Sequence, residues 1–347
     1  MASIFGGLFP EAQEWGGYVL ERELALEFAR VTEAAALTSA RWVGLGDKES
    51  ADEAAVTAMR VMFDTVSIDG VVVIGEGELD EAPMLYIGER VGTGVPPQVD
   101  IAVDPLEGTN LIAKGLNGAI AVLASAPRGT LLHAPDMYMD KIAVGAECKG
   151  RVFLDAPVKE NLRQVAKALD KSIREVTVVI LDRERHQGII EEVRSVGARI
   201  RLISDGDVSP GVATAYENSG VDILMGIGGA PEGVITAAAL KCMGGDFQAR
   251  LCPEDDTEIR RCHEMGIKDV KQLFTIDELV STDDVIFVAT GITDSYLLKG
   301  VRYSKGRAIT QTIVMRSASG TIRFIEANHC LDKKPLFKDK RISVTME

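Results

Sequence analysis

The sequence lacks the features that mark membrane-embedded, secreted and nucleic-acid-binding proteins. No uninterrupted apolar run approaches the length of a membrane span, and Met1–Trp15 carries no Lys or Arg, unlike a secretory signal. Aromatic residues make up only 5% of the chain, which disfavours stacking platforms for single-stranded nucleic acid. The 52 acidic residues outnumber the 38 basic ones, so the formal net charge is −14. Such a chain repels nucleic acid and anionic membranes, and we expect a cytoplasmic protein that binds neither.

Signatures of zinc, redox and serine-hydrolase sites are missing too. The five cysteines include no CxxC pair, and we expect reduced thiols rather than a disulfide framework. A redox-sensitive pair of Cys252 and Cys262, which flank an acidic stretch, is the alternative. The four histidines show no HExxH spacing, and no GxSxG motif is present. Zinc hydrolysis and Ser/His/Asp catalysis are therefore disfavoured.

Hydrophobic periodicity predicts an α/β protein whose two halves meet near residue 175. The first half begins with a helix around residues 24–35. A capping box at residues 50–53 then predicts a second helix to Val66, with Asp52 in its first turn. Strands are expected at residues 71–75, 99–103 and 119–124. Beyond residue 174 strands and helices alternate, which predicts a mostly parallel sheet with ligands at the carboxyl ends of its strands. The predicted domains are residues 1–174 and 175–347, with the last strands expected to pack back on the first domain.

The strand at residues 99–103 leads directly into an acidic motif, Asp-Pro-Leu-Glu-Gly-Thr at residues 104–109. Pro105 is expected to end the strand and start a turn, across which the Asp104 and Glu107 carboxylates converge. Converging carboxylates suit Mg²⁺ or Mn²⁺, and the N–H groups of Gly108 and Thr109 are placed to cradle a phosphate oxygen. The alternative is an N-capping Asp104 beside an exposed turn residue, Glu107.

A second acidic cluster follows the strand at residues 71–75. Glu76, Glu78, Asp80 and Glu81 fall within six positions and repel one another unless they are solvated or bind cations. Because two buried strands each end in acids, a shared metal site is favoured over an exposed loop. Bound cations would also let so acidic a chain accept an anionic metabolite. Asp52 is a further candidate ligand, and the Gly46-Asp47-Lys48 segment offers a cation nearby.

Three more segments follow predicted strands in the second half. The glycine-rich stretch at residues 226–233 lacks GxGxxG spacing; its Glu232 begins a helix and is a candidate metal ligand. Arg183 to Arg185 can hold a second phosphate, and Asp205 to Asp207 can bind sugar hydroxyls. From the residues alone, the segment at 183–185 and the segment at 205–207 each fit a solvated loop equally well.

Taken together, these motifs resemble a known family. Residues 104–109 are similar to the signature of the lithium-sensitive, metal-dependent phosphatases, and Glu107 stands where many of them carry Asp. This points to the class II fructose-1,6-bisphosphatases. Supporting stretches lie at residues 46–52, 75–84, 134–139, 205–207 and 228–233. The resemblance implies the layered α/β sugar-phosphatase fold of that superfamily.

The resemblance also implies a set of functional residues. Those expected to bind the Mn²⁺ or Mg²⁺ cofactor are Asp52, Glu76, Asp104, Glu107 and Glu232. Those expected to contact substrate are Glu107, Gly108, Thr109, Tyr138, Arg183, Glu184, Arg185, Asp205, Gly206, Asp207 and Gly229. The expected catalytic residues are Thr109, Asp80 and Lys48: Thr109 and Asp80 would orient or deprotonate the attacking water, and Lys48 would stabilise the transferred group.

The N-terminal extension resembles the cyanobacterial form of this family. That form acts on fructose-1,6-bisphosphate and sedoheptulose-1,7-bisphosphate in the Calvin cycle, and related enzymes are homotetramers inhibited by AMP. Two alternatives stay open. One is an inositol-monophosphatase-like enzyme of the same chemistry or a fructose-1,6-bisphosphatase without seven-carbon activity. The other is a non-catalytic nucleotide sensor built on the glycine-rich stretch, which leaves the acidic clusters unexplained.

Overall fold

The computed structural model describes Leu20 and residues 23–77 and 84–334. Within these residues the α-helices are α1 (Leu24–Ser39), α2 (Lys48–Phe63), α3 (Thr109–Ala113), α4 (Val158–Ala168), α5 (Gln187–Val196), α6 (Val208–Ala213), α7 (Ala230–Met243), α8 (Asp256–Glu264) and α9 (Ile276–Leu279). The strands are β1 (Asp69–Ile74), β2 (Arg90–Val91), β3 (Gln98–Glu107), β4 (Ile120–Pro127), β5 (Tyr138–Val144), β6 (Thr177–Leu181), β7 (Arg199–Ile203), β8 (Ile223–Gly229), β9 (Asp246–Leu251), β10 (Phe274–Thr275), β11 (Ile286–Gly291), β12 (Arg302–Ser304), β13 (Arg307–Arg316) and β14 (Thr321–Cys330).

The first sheet has eight strands in the order β12-β13-β11-β4-β3-β1-β2, with β14 paired to β13. Among the described strands of this sheet only β1 and β3 run parallel; the other pairs are antiparallel. Helices α1 and α2 cover one face, where Phe28 and Met59 join Ile101 in a buried apolar cluster. This face is continuous because apolar side chains recur at every second position of the strands.

The second sheet has six strands in the order β10-β9-β5-β8-β6-β7. Strands β6, β7 and β8 are parallel, whereas β5, β9 and β10 pair antiparallel. The expectation of a mostly parallel sheet is therefore wrong. The physical reason is that β5 and β9 complete this sheet by antiparallel pairing, and β5 comes from the first half of the chain.

Helix α7 lies between the two sheets and contacts both. Its residues are buried on all sides, among them Val234, Ala237 and Ala238, and they pack in one cluster with Val122 of the first sheet and Phe247 of the second. A helix that is apolar around its whole circumference is suited to such a central layer. Helices α4 and α5 cover the outer face of the second sheet. The predicted mixed α/β fold with layered helices and sheets is confirmed.

Two local expectations at the start of the site are wrong. Helix α2 begins at Lys48 because Asp47 is its N-cap, accepting a hydrogen bond from the Ser50 N–H at 2.9 Å. Asp52 therefore lies in the second helical turn, not the first. Strand β3 also does not end at Pro105 but continues to Glu107. The parallel pairing with β1 stops at Ala102 and the register with β4 shifts between Asp104 and Glu107, so Pro105 sits in a bulge that needs no ladder donor.

The two sheets do not follow the two halves of the chain. Strand β5 precedes residue 175 and lies in the second sheet, whereas β11 to β14 follow residue 175 and lie in the first. The boundary between residues 174 and 175 stays a prediction.

Among the described residues no helix is long and apolar enough to cross a membrane. The five cysteines form no disulfide in the structure, and burial raises the pKa of Cys148 to about 11 and that of Cys242 to about 12.

Candidate metal and phosphate site

Acidic side chains from four separate elements line one cavity of about 300 Å³. Asp52 comes from α2, Glu76 follows β1, Asp104 and Glu107 lie on β3, and Glu232 lies in the first turn of α7. All five expected metal-binding residues therefore share one cavity. Gly108, Thr109, Asp136 and Asp205 lie on its wall as well.

The end of β3 sets the positions of Asp104, Glu107 and Gly108. Asp104 Oδ1 accepts a hydrogen bond from the Leu106 N–H at 3.0 Å, and Glu107 Oε1 accepts one from the Val208 N–H at 3.0 Å. Gly108 is the N-cap of α3 at φ +91°, a left-handed conformation that favours glycine. Asp104 is thus not a helix N-cap and Glu107 is buried, so the alternative of a capping Asp and an exposed Glu is wrong.

The junction between β8 and α7 presents Glu232. Gly229 is the N-cap of α7, Pro231 occupies the first turn, and the side chain of Glu232 folds back over Gly229. A Cβ added at Gly229 would lie 1.8 Å from Glu232 Oε2. Glycine is therefore required here so that the carboxylate can turn toward Asp104 and Glu107.

The carboxyl groups of this cavity have raised pKa values, so they do not all ionise at the same time. Burial, and then the charges of Asp52, Glu232 and Asp136, raise the pKa of Glu76 to about 8. Burial, and then Glu49, raise the pKa of Asp52 to about 6. The pKa values of Asp104 and Glu107 are raised well above their usual range, again by burial first and neighbouring carboxylates second. Burial also raises the pKa of Glu232, an effect that the Lys141 charge opposes. Without cations, such a cluster must hold protons.

The donor set fits a divalent cation. Asp104, Glu107 and Glu232 each offer one carboxylate oxygen, and these oxygens lie within 4.8 Å of one another. Glu232 Oε2 is buried and has no hydrogen-bond partner among the described residues. An unsatisfied buried carboxylate oxygen beside two others is the environment that a hard cation such as Mg²⁺ or Mn²⁺ prefers.

A second cavity, of about 160 Å³, adjoins the first and shares Glu107, Asp205 and Glu232 with it. The expected substrate residues that line it are Glu107, Tyr138, Arg183, Arg185, Asp205, Gly206, Asp207 and Gly229. It opens at the carboxyl ends of β6, β7 and β8, where the sequence places ligands. An acidic cavity therefore lies directly beside one that carries two arginines.

The arginine side chains are held by fixed partners. Arg185 donates through its Nε and one terminal nitrogen to the Ile227 carbonyl at 3.3 and 2.9 Å, and its guanidinium lies 4.4 Å from the centre of the Tyr138 ring. Arg183 approaches Asp205 Oδ1 at 4.0 Å. Asp205 in turn accepts hydrogen bonds from the backbone and side chain of Asn110 at 3.1 and 3.0 Å. These contacts connect the arginine-bearing loop to the start of α3.

Two predicted residues lie outside both cavities, and a third is not among the described residues. Lys48 is exposed at the start of α2, with its Nζ 3.8 Å from Glu49 Oε1, and does not line either cavity. Glu184 is exposed and is likewise absent from both linings. Asp80 lies outside the described residues. The roles of all three stay predictions.

Sequence reasoning missed Lys141 and Asp136. Asp136 lines the first cavity and lies within a quoted motif, so its acidic side chain was a usable signal. Lys141 is buried beneath the second cavity, where its Nζ lies 2.8 Å from Asp207 Oδ2. Its signal was a lysine within residues 139–144, which hold four apolar residues and one other charged residue, Asp140.

The fold and the two cavities together define a layered α/β protein with a carboxylate cluster that could hold a metal ion, beside a cavity that carries two arginines. Residues 22–329 match the family model described as bacterial fructose-1,6-bisphosphatase, glpX-encoded. The chain is 47% identical over 326 residues to a class 2 fructose-1,6-bisphosphatase of Haemophilus influenzae, covering 90% of this chain and 98% of that protein. It is 49% identical over 328 residues to fructose-1,6-bisphosphatase 1 class 2 of Escherichia coli, covering 91% and 97%. The chain belongs to the family of class II, glpX-type fructose-1,6-bisphosphatases, which are phosphoric monoester hydrolases.

Proposed function

We propose that this protein hydrolyses the 1-phosphate of fructose-1,6-bisphosphate and of sedoheptulose-1,7-bisphosphate, using Mn²⁺ or Mg²⁺. The observation that carries the proposal is the shared wall of the two cavities, formed by Glu107, Asp205 and Glu232. A substrate with a phosphate at each end fits this arrangement, because one phosphate can meet the cation site while the other meets the arginines.

In this proposal Asp52 and Glu76 bind one cation, and Asp104, Glu107 and Glu232 bind a second. Cations bound there would neutralise the scissile phosphate and provide a nucleophile at neutral pH. Thr109 lies on the wall of the same cavity, at the start of α3, and its hydroxyl is proposed to orient the attacking water together with Asp80. Lys48 is proposed to act on the transferred group after a movement of its exposed side chain.

The second cavity is proposed to bind the sugar and the distal phosphate. Arg183 and Arg185 bind the phosphate, while Asp205, Asp207 and the Gly206 and Gly229 backbones contact sugar hydroxyls. Tyr138 packs its ring against Arg185 and keeps its guanidinium directed at the cavity. Glu184 is proposed as a further substrate contact.

The wider assignments belong to the same proposal. We infer that the chain has the fold of the lithium-sensitive phosphatase superfamily and acts in the cytoplasm, in gluconeogenesis and the Calvin cycle. A homotetramer inhibited by AMP is part of this proposal, as is closeness to the cyanobacterial dual-activity form. These inferences rest on the motifs of the sequence.

The test is phosphate release from both bisphosphates, side by side, with Mn²⁺ or Mg²⁺. Replacing Asp104 by Asn or Glu76 by Gln removes a ligand charge while keeping the shape of the side chain, so metal-dependent turnover should be lost. Asp256→Asn, an exposed change on α8, is the matched control and should keep full activity. Near-normal Mn²⁺-dependent release by Asp104→Asn would sink the assignment. Activity on the six-carbon substrate alone would restrict it to fructose-1,6-bisphosphate.

An inositol-monophosphatase-like activity is the second candidate, since it uses the same carboxylate chemistry. Replacing Arg183 and Arg185 distinguishes the bisphosphatase from the monophosphatase. A bisphosphatase in which both Arg183 and Arg185 are changed to Ala should show a KM at least about tenfold higher, from the loss of charge-assisted hydrogen bonds. An unchanged KM, with Arg194→Ala on α5 as the control, would favour the monophosphatase.

A further inference from the structure

Strand β5 carries a lysine on the face that packs against α7. Side chains alternate along a strand, so Lys141 shares its face with Met139 and Ala143, which both belong to the apolar cluster around α7. Lys141 is only 2% exposed. An ammonium group in such a layer carries a large desolvation cost unless its hydrogens all find acceptors.

The ammonium group of Lys141 has three acceptor atoms, and they belong to two residues. Its Nζ lies 2.8 Å from Asp207 Oδ2, 3.0 Å from Asp207 Oδ1 and 3.0 Å from the Gly229 carbonyl oxygen. Both partners line the second cavity, whereas Lys141 does not. Lys141 thus lies behind the wall of that cavity and fixes two of its members at once.

The contact between Lys141 and Asp207 is tightly packed against the backbone at Gly228. A Cβ added at Gly228 would lie 2.2 Å from Asp207 Oδ2 and 2.9 Å from Lys141 Nζ. Asp207 is itself 7% exposed, so without Lys141 its carboxylate would be buried, unpaired and close to Glu107 and Glu232. A buried ion pair adds little net stability compared with well-packed apolar side chains, and a positional role gives a reason for its presence.

We propose that Lys141 is a positioning residue that sets the affinity of the second cavity for the phosphorylated sugar. It does not touch the substrate; it holds the Asp207 carboxylate and the Gly229 carbonyl where the sugar hydroxyls meet them. This inference rests on the proposed function, because it takes the second cavity to be the sugar pocket.

The test uses fructose 6-phosphate, which keeps the sugar and the distal phosphate but is not hydrolysed in the proposed reaction. Its binding to the full-length protein is measured by calorimetry, and KM and kcat for fructose-1,6-bisphosphate are measured in parallel. Lys141→Met should weaken fructose 6-phosphate binding and raise KM by at least about tenfold, the loss expected for a charge-assisted hydrogen bond. Its kcat should change by less than about threefold, a split that a general loss of folded protein does not produce.

Lys171, in the exposed loop after α4, offers a control at another lysine–aspartate pair. Its Nζ lies 2.5 Å from Oδ1 of the buried Asp222, and neither residue lines the two cavities. Lys171→Met should leave fructose 6-phosphate binding and KM within about twofold of wild type. If Lys141→Met does not fold, Lys141→Gln, which keeps an amide NH2 donor but no charge, is measured instead and should show the same direction of change.

The outcomes separate the two proposals. Folded Lys141→Met or Lys141→Gln protein with wild-type affinity for fructose 6-phosphate would overturn the role of Lys141. Equal weakening by Lys171→Met would overturn it as well, since the effect would then be one of stability. Weakened sugar-phosphate binding in an enzyme that does not hydrolyse fructose-1,6-bisphosphate would overturn only the proposed function. No fructose 6-phosphate binding by the wild type would overturn both.

Discussion

At the residue scale, the site is defined by carboxyl groups that cannot all be ionised without a counter-charge. Glu76 and Asp104 each have raised pKa values because they are buried first and surrounded by other acids second. The same repulsion that raises these pKa values would favour a divalent cation in the cavity, because a bound cation replaces the protons.

This cluster predicts that the metal-free protein loses stability as pH rises. The folded-state pKa of Glu76 is about 8, against an ordinary value of 4.5, so between those values the folded state holds a proton that the unfolded chain has released. The free energy of unfolding should therefore fall between pH 6.5 and 8.5, by roughly 2 kcal/mol from Glu76 alone. Urea unfolding of the metal-free protein at the two pH values measures it.

Two controls accompany this measurement. Glu76→Gln carries a neutral side chain at every pH and should show a smaller fall over the same window. Saturating Mn²⁺ should stabilise the wild type more at pH 8.5 than at pH 6.5, because the carboxylates no longer have to lose protons. Metal-free wild type that is equally stable at both pH values would contradict the raised pKa values.

At the element scale, the turn from β8 into α7 decides whether Glu232 reaches the site. Helix α7 is buried between the sheets, and its N-cap Gly229 lies under the folded-back Glu232 carboxylate. The glycine-rich stretch at residues 226–233, predicted to lie between a strand and a helix, instead forms the end of β8 and the first turn of α7. Its glycines make room for side chains of this protein, because the space at Gly228 and Gly229 is filled by Lys141, Asp207 and Glu232.

Gly229→Ala tests this turn. The added Cβ would overlap Glu232 Oε2, which must then leave its place, and we expect the affinity for Mn²⁺ to fall by about 10- to 100-fold. Calorimetric titration of the metal-free protein with Mn²⁺ measures the change. Gly188→Ala is the control, since nothing lies within 4 Å of the Cβ position in the first turn of α5. Unchanged Mn²⁺ affinity in a folded Gly229→Ala protein would show that Glu232 is not held by this turn.

At the scale of the whole molecule, the two sheets depend on strands from both halves of the chain. Strand β5 lies between β8 and β9 in the second sheet, and β11 lies between β4 and β13 in the first. A chain divided between residues 174 and 175 would therefore leave β4 without β11 and β5 without both neighbours. Buried strands with free edges expose unpaired backbone groups and apolar faces.

We accordingly expect that residues 1–174 and 175–347, expressed separately, do not unfold cooperatively. Circular dichroism during thermal unfolding of each fragment measures this, with the full chain as the reference. Cooperative unfolding of both fragments would instead support two autonomous domains at the predicted boundary.

Several elements of the fold and the acidic residues of the site could be predicted from the local sequence. Periodicity located α1, α2, β1, β3 and β4, because side-chain burial repeats with the geometry of each element. The acids after β1 and β3 and at the start of α7 were found because unpaired carboxylates at the ends of buried strands have few purely structural uses. That Asp52, Glu76, Asp104, Glu107 and Glu232 line one cavity was an expectation of the sequence, and the tertiary structure places them there.

Other features were decided only by tertiary structure. Strand β5 pairs antiparallel with β8, and strand β3 continues past Pro105. Lys141 makes a buried contact with Asp207. All three features depend on residues that are far apart in the chain. No local sequence pattern encodes these features, because the order of the strands in each sheet depends on how the whole core is buried. The sequence by itself determined the chemistry available at the site; the packing of α7 between two sheets determined which of those groups meet.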